Sequence, residues 1–71
     1  MALSLVVNGV EQRIESAHSG DSLVQVIQGL GVEPSRVAVE LNGEIVRRAN
    51  WGSAAVGAGD KLEIVHFVGG G

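Results

Sequence analysis

Leu3-Ser4-Leu5-Val6-Val7-Asn8-Gly9-Val10-Glu11-Gln12-Arg13-Ile14 decides the fold of this chain. Leu3, Leu5 and Val7 alternate with Ser4 and Val6, and beyond Asn8-Gly9 the residues Val10, Gln12 and Ile14 resume the same period of two. Asn-Gly between two alternating runs is the strongest short-range hairpin signal, so two antiparallel strands are expected here. Glu11, Arg13 and Glu15 share the opposite face of the second strand, which suits a sheet with one side in water.

Outward from the hairpin, Ala17 to Gly20 is a polar connection, after which Asp21 or Ser22 can cap a helix. Gln25 stands three residues beyond Ser22, the spacing of a capping box. Leu23, Val26, Ile27 and Leu30 then fall at i, i+3, i+4 and i+7, one apolar helical face of about three turns. Gly29 weakens the last turn, and Gly31 is placed to end the helix in a left-handed conformation. Val32 to Arg36 is a connector, with Pro34 near the start of a single helical turn.

Val37, Val39 and Leu41 alternate with Ala38 and Glu40, and Asn42-Gly43 turns the chain into Glu44-Ile45-Val46, a second hairpin. Arg47 to Gly57 is irregular, with Trp51 expected to plug the edge of the core. After the turn Gly57-Ala58-Gly59-Asp60, a last strand runs from Lys61 to Val68. Leu62, Ile64 and His66 share one of its faces, and Lys61, Glu63, Val65 and Phe67 the other. The order strand, strand, helix, strand, short strand, strand predicts an α+β domain of the beta-grasp, ubiquitin-like kind. Its mixed sheet of about five strands carries one main helix across one face, with the first and last strands adjacent in the middle. The expected division is a beta-grasp domain over 1–68 and a flexible C-terminal glycine tail over 69–71.

A chain of 71 residues suits one domain, which buries about 60% of the surface its unfolded chain exposes. With 45% hydrophobic and 18% charged residues it reads as a folded globule. The absence of cysteine excludes disulfides, thiolate catalysis and cysteine-ligated metal, and fits a reducing cytoplasm. Met1 to Asn8 holds no basic residue and reads as a strand, not a signal peptide, and no stretch has the length of a membrane span. A net charge of -3 with scattered basic residues argues against nucleic acid as a partner. His18 and His66 have no metal-ligand spacing, the serines no nucleophile-elbow pattern, and Gly57-Ala58-Gly59 precedes a strand where a phosphate loop would precede a helix. Arg47-Arg48 reads as a solvated pair, with contact to an acidic partner as the alternative. No constellation here belongs to an enzyme acting alone, and no cofactor is expected on the chain itself.

The sequence closes on His66-Phe67-Val68-Gly69-Gly70-Gly71. Three glycines after an apolar strand form a thin arm without side chains, and Val68 to Gly71 reaches about 13 Å when extended. Gly69 and Gly70 would let a terminal Gly71 carboxylate thread into a narrow active site on another protein. Joined to AMP, that carboxylate becomes a mixed anhydride open to sulfur or nitrogen nucleophiles. A frayed terminus or a cloning scar would end the same way. Val65 and Phe67, ringed by Glu63 and Lys61, are with Val68 candidates for a docking patch on the uncovered face near the tail; the other reading is that Phe67 only covers the end of a central strand.

Glu40-Leu41-Asn42-Gly43-Glu44-Ile45-Val46, Gly59-Asp60-Lys61-Leu62-Glu63-Ile64-Val65 and the closing His66-Phe67-Val68-Gly69-Gly70-Gly71 resemble the ThiS family of thiamine-pathway sulfur carriers. Arg48 with Trp51 also resembles that family's Arg-x-x-Trp segment, although the family often has proline where this chain has Arg47. The resemblance covers essentially the whole chain. It implies that Gly70 and Gly71 are the terminal diglycine, and that a ThiF-type, E1-like adenylyltransferase activates Gly71 with ATP and magnesium. A cysteine desulfurase route would supply sulfur to form a thiocarboxylate, and a ThiG-type thiazole synthase would accept it. The competing readings are a molybdopterin-synthase small-subunit type of carrier, a ubiquitin-like modifier joined to lysines, and an interaction module whose glycines are inert.

Overall fold

The computed structural model describes residues 2–67. β1 (Leu3–Val7) and β2 (Val10–Ile14) form the first hairpin, with Leu3 opposite Ile14 and Val7 opposite Val10. Asn8 and Gly9 take φ of 50° and 82°. Two successive left-handed residues make the turn whose twist matches the strands, and Asn followed by Gly adopts it at least cost. Asn42-Gly43 repeats the device, with φ of 53° and 87°, between β3 (Val37–Leu41) and β4 (Glu44–Ile45). β4 is two residues long where three were expected, although the Val46 N–H still reaches the Val39 carbonyl at 3.0 Å.

β5 (Lys61–His66) runs parallel to β1 and antiparallel to β3, so the sheet order is β2-β1-β5-β3-β4. This is the mixed five-stranded beta-grasp sheet expected from the order of elements, with the first and last strands side by side. β5 ends at His66; the expected extension ran through Phe67, which lies just past the strand, to Val68, which lies outside the described residues.

α1 (Leu23–Gly29) is the one α-helix among the described residues. Its N-terminal donors are all satisfied: the Leu23 and Val24 N–H groups reach the carbonyls of Ala54 and Trp51, and the Gln25 N–H reaches Ser22 Oγ. Gln25 Oε1 in turn accepts from the Ser22 N–H at 2.9 Å, completing the capping box. Its seven residues make about two turns, not three. Leu30 continues the apolar period but serves as C-cap, because Gly31 at φ 77° turns the chain. The Gly31 N–H meets the Gln28 carbonyl and the Val32 N–H meets the Ile27 carbonyl, the pairing of a Schellman end. Gly29 has a packing reason: a Cβ there would lie 3.1 Å from Ile14 Cγ2 and 3.2 Å from Ser16 Oγ.

Leu23, Val26 and Ile27 of α1 are fully buried in one cluster with Leu3, Leu5 and Val7 of β1, Val37 and Val39 of β3, and Leu62 and Ile64 of β5. Trp51 closes the margin of this core as expected, and its indole N–H donates to the Val46 carbonyl at 2.8 Å. One expectation is corrected. Val10 and Gln12 share the core-side register of β2 yet are exposed, because β2 is an edge strand and only Ile14 reaches the helix. Pro34 opens a one-turn 3-10 helix (Pro34–Arg36), as its fixed φ favours.

Candidate functional site

The chain's candidate site is the wet face and downstream end of β5, and the fold holds that strand from both sides. On one side, Val6 donates to the Asp60 carbonyl and the Asn8 N–H to the Leu62 carbonyl at 2.8 Å. There β1 turns away into its hairpin while β5 continues, which would leave Ile64 without a neighbour. The Asn8 carboxamide takes the missing place: Oδ1 accepts from the Ile64 N–H at 2.7 Å and Nδ2 donates to the Ile64 carbonyl at 3.1 Å. On the other side, the Asn42 N–H reaches the Lys61 carbonyl at 2.7 Å, and Asn42 Oδ1 accepts from the Lys61 N–H at 2.9 Å. Past the end of β5, the Phe67 N–H donates to the Arg36 carbonyl at 2.9 Å.

Arg48 braces β3 beside this end. Its Nη2 donates to the Val37 carbonyl at 3.1 Å, and its guanidinium lies 5.4 Å from the centroid of the Trp51 ring. The expectation that Arg47-Arg48 is merely solvated therefore fails for Arg48. Asn8 and Asn42 were expected only as turn formers. Their second role follows from a carboxamide carrying both a donor and an acceptor, but locating its partner requires knowing that β5 lies between the two turns.

The wet face can be read row by row from the register. Glu63 of β5 stands opposite Glu40 of β3, and Glu40 opposite Ile45 of β4; one step along, Val65 stands opposite Ala38. Val65 and Phe67 are 61% and 60% exposed and Ile45 is 76% exposed, so the two candidate docking residues within the described range are accessible to a partner. Val68, Gly69, Gly70 and Gly71, the remaining candidate residues, lie outside the described residues.

His66 is exposed at the end of β5 and His18 sits in the loop before α1, its Nδ1 3.9 Å from Asp21. Among the described residues there is no group of three or more His, Asp or Glu placed to hold a metal ion, and no pocket. No helix of the described residues is long and apolar enough to cross a membrane.

Comparison with known proteins gives consistent results. The model of the ThiS family matches residues 5–71. A thiazole synthase from Paramagnetospirillum magneticum is 44% identical over 69 residues, which cover 97% of this chain and 20% of that protein. A thiazole synthase from Magnetococcus marinus is 41% identical over 56 residues, covering 79% of this chain and 17% of that one. The chain thus spans about a fifth of the length of these curated relatives. The crystal structure of a thiamine biosynthesis protein (ThiS) from Geobacter metallireducens superposes with a TM-score of 0.80 at 34% identity, covering 97% of this chain and 100% of the other. A solution structure of a thiamine biosynthesis protein from the same organism gives 0.78 at 34% identity, covering 97% of this chain and 88% of the other.

Proposed function

The chain belongs to the ThiS family, and on that premise we propose that it is a sulfur carrier of thiamine biosynthesis, a protein cosubstrate loaded and unloaded by others and not a catalyst itself. The observation that carries this reading is the extent of the family match, which runs through the sheet and on to Gly71. The two solved structures it resembles, both named for thiamine biosynthesis, support the same pathway.

In this account the carboxylate of Gly71 is the group that reacts. Oxygen of that carboxylate attacks the α-phosphorus of ATP on a ThiF-type adenylyltransferase, pyrophosphate leaves, and an acyl adenylate forms. Magnesium on that enzyme offsets the phosphate charge. A sulfur nucleophile then attacks the acyl carbon and AMP departs. This chain has no cysteine, so the nucleophile belongs to a partner. If the sulfur arrives as a desulfurase persulfide, a thiol reductant cleaves the resulting acyl disulfide to leave the thiocarboxylate. Gly69 and Gly70 thread the enzyme's channel, while Val65, Phe67 and Val68 dock against the partner. A ThiG-type thiazole synthase is the acceptor. That assignment is supported by the likeness of this chain to a fifth of two proteins named thiazole synthase.

ATP–pyrophosphate exchange by the activating enzyme tests the first step. Exchange should depend on this chain and disappear when Gly71 is deleted. Undiminished exchange with the shortened chain would remove Gly71 from the reaction.

A further inference from the structure

Asn8-Gly9 and Asn42-Gly43 form the two tight turns, and the carrier reading uses the chemistry of neither. An asparagine side chain is most open to attack by the next backbone amide when glycine follows, because glycine has no Cβ in the way. The surroundings do not obstruct it either: a Cβ built at Gly9 or Gly43 would meet nothing within 4 Å. The remaining asparagine, Asn50, precedes the bulky Trp51.

The two turns differ in how firmly each carboxamide is held. Asn8 is bound at both ends in a partly buried setting, with Oδ1 accepting from the Ile64 N–H at 2.7 Å and Nδ2 donating to the Ile64 carbonyl at 3.1 Å. Asn42 has one exposed side-chain bond among the described residues, Oδ1 accepting from the Lys61 N–H at 2.9 Å. The ladders behind the turns differ as well. β1 and β2 are paired from Leu3 with Ile14 to Val7 with Val10, whereas β3 and β4 are paired only at Glu40 with Ile45 and Leu41 with Glu44. A short ladder at a sheet edge opens at low free energy, and each opening frees the Asn42 side chain to swing onto the Gly43 nitrogen.

We infer that Asn42 is a modification site, deamidating through Gly43 in the folded domain while β5 protects Asn8. The Gly43 amide gives its proton to a base in solution, and its nitrogen attacks Asn42 Cγ. The C–N bond of the carboxamide breaks, ammonia leaves with a proton from water, and a succinimide ring remains. Water then opens the ring at either carbonyl, leaving aspartate or isoaspartate. The two products have different consequences. Aspartate still offers the Lys61 N–H an acceptor oxygen, now charged, so the corner of the sheet is kept. Isoaspartate carries the backbone through the side chain and lengthens a two-residue turn, so the pairing of Glu44 and Ile45 is lost.

The test ages the full chain in buffer, folded and in guanidinium chloride, and follows both asparagines by peptide mapping. Cleavage after Arg13, Arg36 and Arg47 puts Asn8 and Asn42 in separate peptides, each read for the mass gain of NH replaced by O. In the folded chain Asn42 should convert at least about tenfold faster than Asn8, which has the further hydrogen bond and the longer ladder. In denaturant the two rates should converge, and both should quicken as pH rises, because the attacking amide must lose its proton. Equal rates in the folded chain, faster conversion at Asn8, or an Asn42 that stays intact there while the denatured sample converts would each overturn the inference. A preference for Asn42 undiminished in denaturant would assign it to local sequence and overturn the protective role of β5. Asn42→Asp reproduces one product and should melt close to the parent. A variant that does not fold would overturn the claim that the domain accommodates that product.

Discussion

Removing the Asn8 side chain should loosen β5 more than any other single change at an exposed position. Asn8→Gly is the cleanest perturbation, because glycine holds the φ of 50° without strain and deletes only the carboxamide. Two hydrogen bonds to Ile64 are lost, at 2.7 and 3.1 Å, each with a net contribution of about 0.5–1.5 kcal/mol. The added freedom of glycine in the unfolded chain contributes up to about 1 kcal/mol more. The sum is about 2 kcal/mol, which for a domain of this size lowers the melting temperature by about 8–16 °C. Asn42→Gly is the internal control: the same substitution in the same kind of turn removes one side-chain bond, to Lys61, and should cost less by one hydrogen bond, about 1 kcal/mol. Thermal melting followed by circular dichroism measures both, and amide hydrogen exchange should show the Ile64 N–H losing protection first. Equal losses at the two turns, or a loss below about 0.5 kcal/mol at Asn8, would refute the claim that this carboxamide replaces the missing strand.

Three further substitutions probe the core and its margin, and all are read by chemical denaturation. Leu62→Ala and Ile27→Ala each empty a fully buried site where sheet and helix meet, and should cost about 2–5 kcal/mol. Trp51→Phe keeps most of the apolar volume but leaves the Val46 carbonyl without its indole donor, and should cost about 1–3 kcal/mol; a neutral result would show that water replaces the bond.

Much of this architecture was legible in the sequence because its signals are local. Period-two runs around Asn8-Gly9 and Asn42-Gly43 define both hairpins, and Ser22 with Gln25 defines the helix start. The adjacency of β1 and β5 followed from element order, since one helix can cover only a compact sheet. Helix length was less legible: Leu30 obeys the apolar period whether it forms another turn or the C-cap, and only the Gly31 and Val32 bonds decide between them. Alternation in β2 marked Val10 and Gln12 as core-facing without revealing that an edge strand outruns its helix. Within the candidate site, the outward position of Val65 and Phe67 was readable from alternation along the strand. The Glu40–Glu63 pairing and the bonds of Asn8 and Arg48 were not, because each joins residues that only the tertiary register brings together.

The central claim is that Gly71 carries sulfur, and the intact mass of the chain tests it most directly. The chain would be incubated with ATP, a sulfur source and the E1-like activating enzyme from the same cell. The account predicts a gain equal to one oxygen replaced by sulfur. The gain should be absent when Gly71 is deleted, while the melting curve of that shortened chain matches the parent's. An unchanged mass in the presence of an enzyme proven active on another carrier would contradict the account and leave the domain as an interaction module with inert glycines.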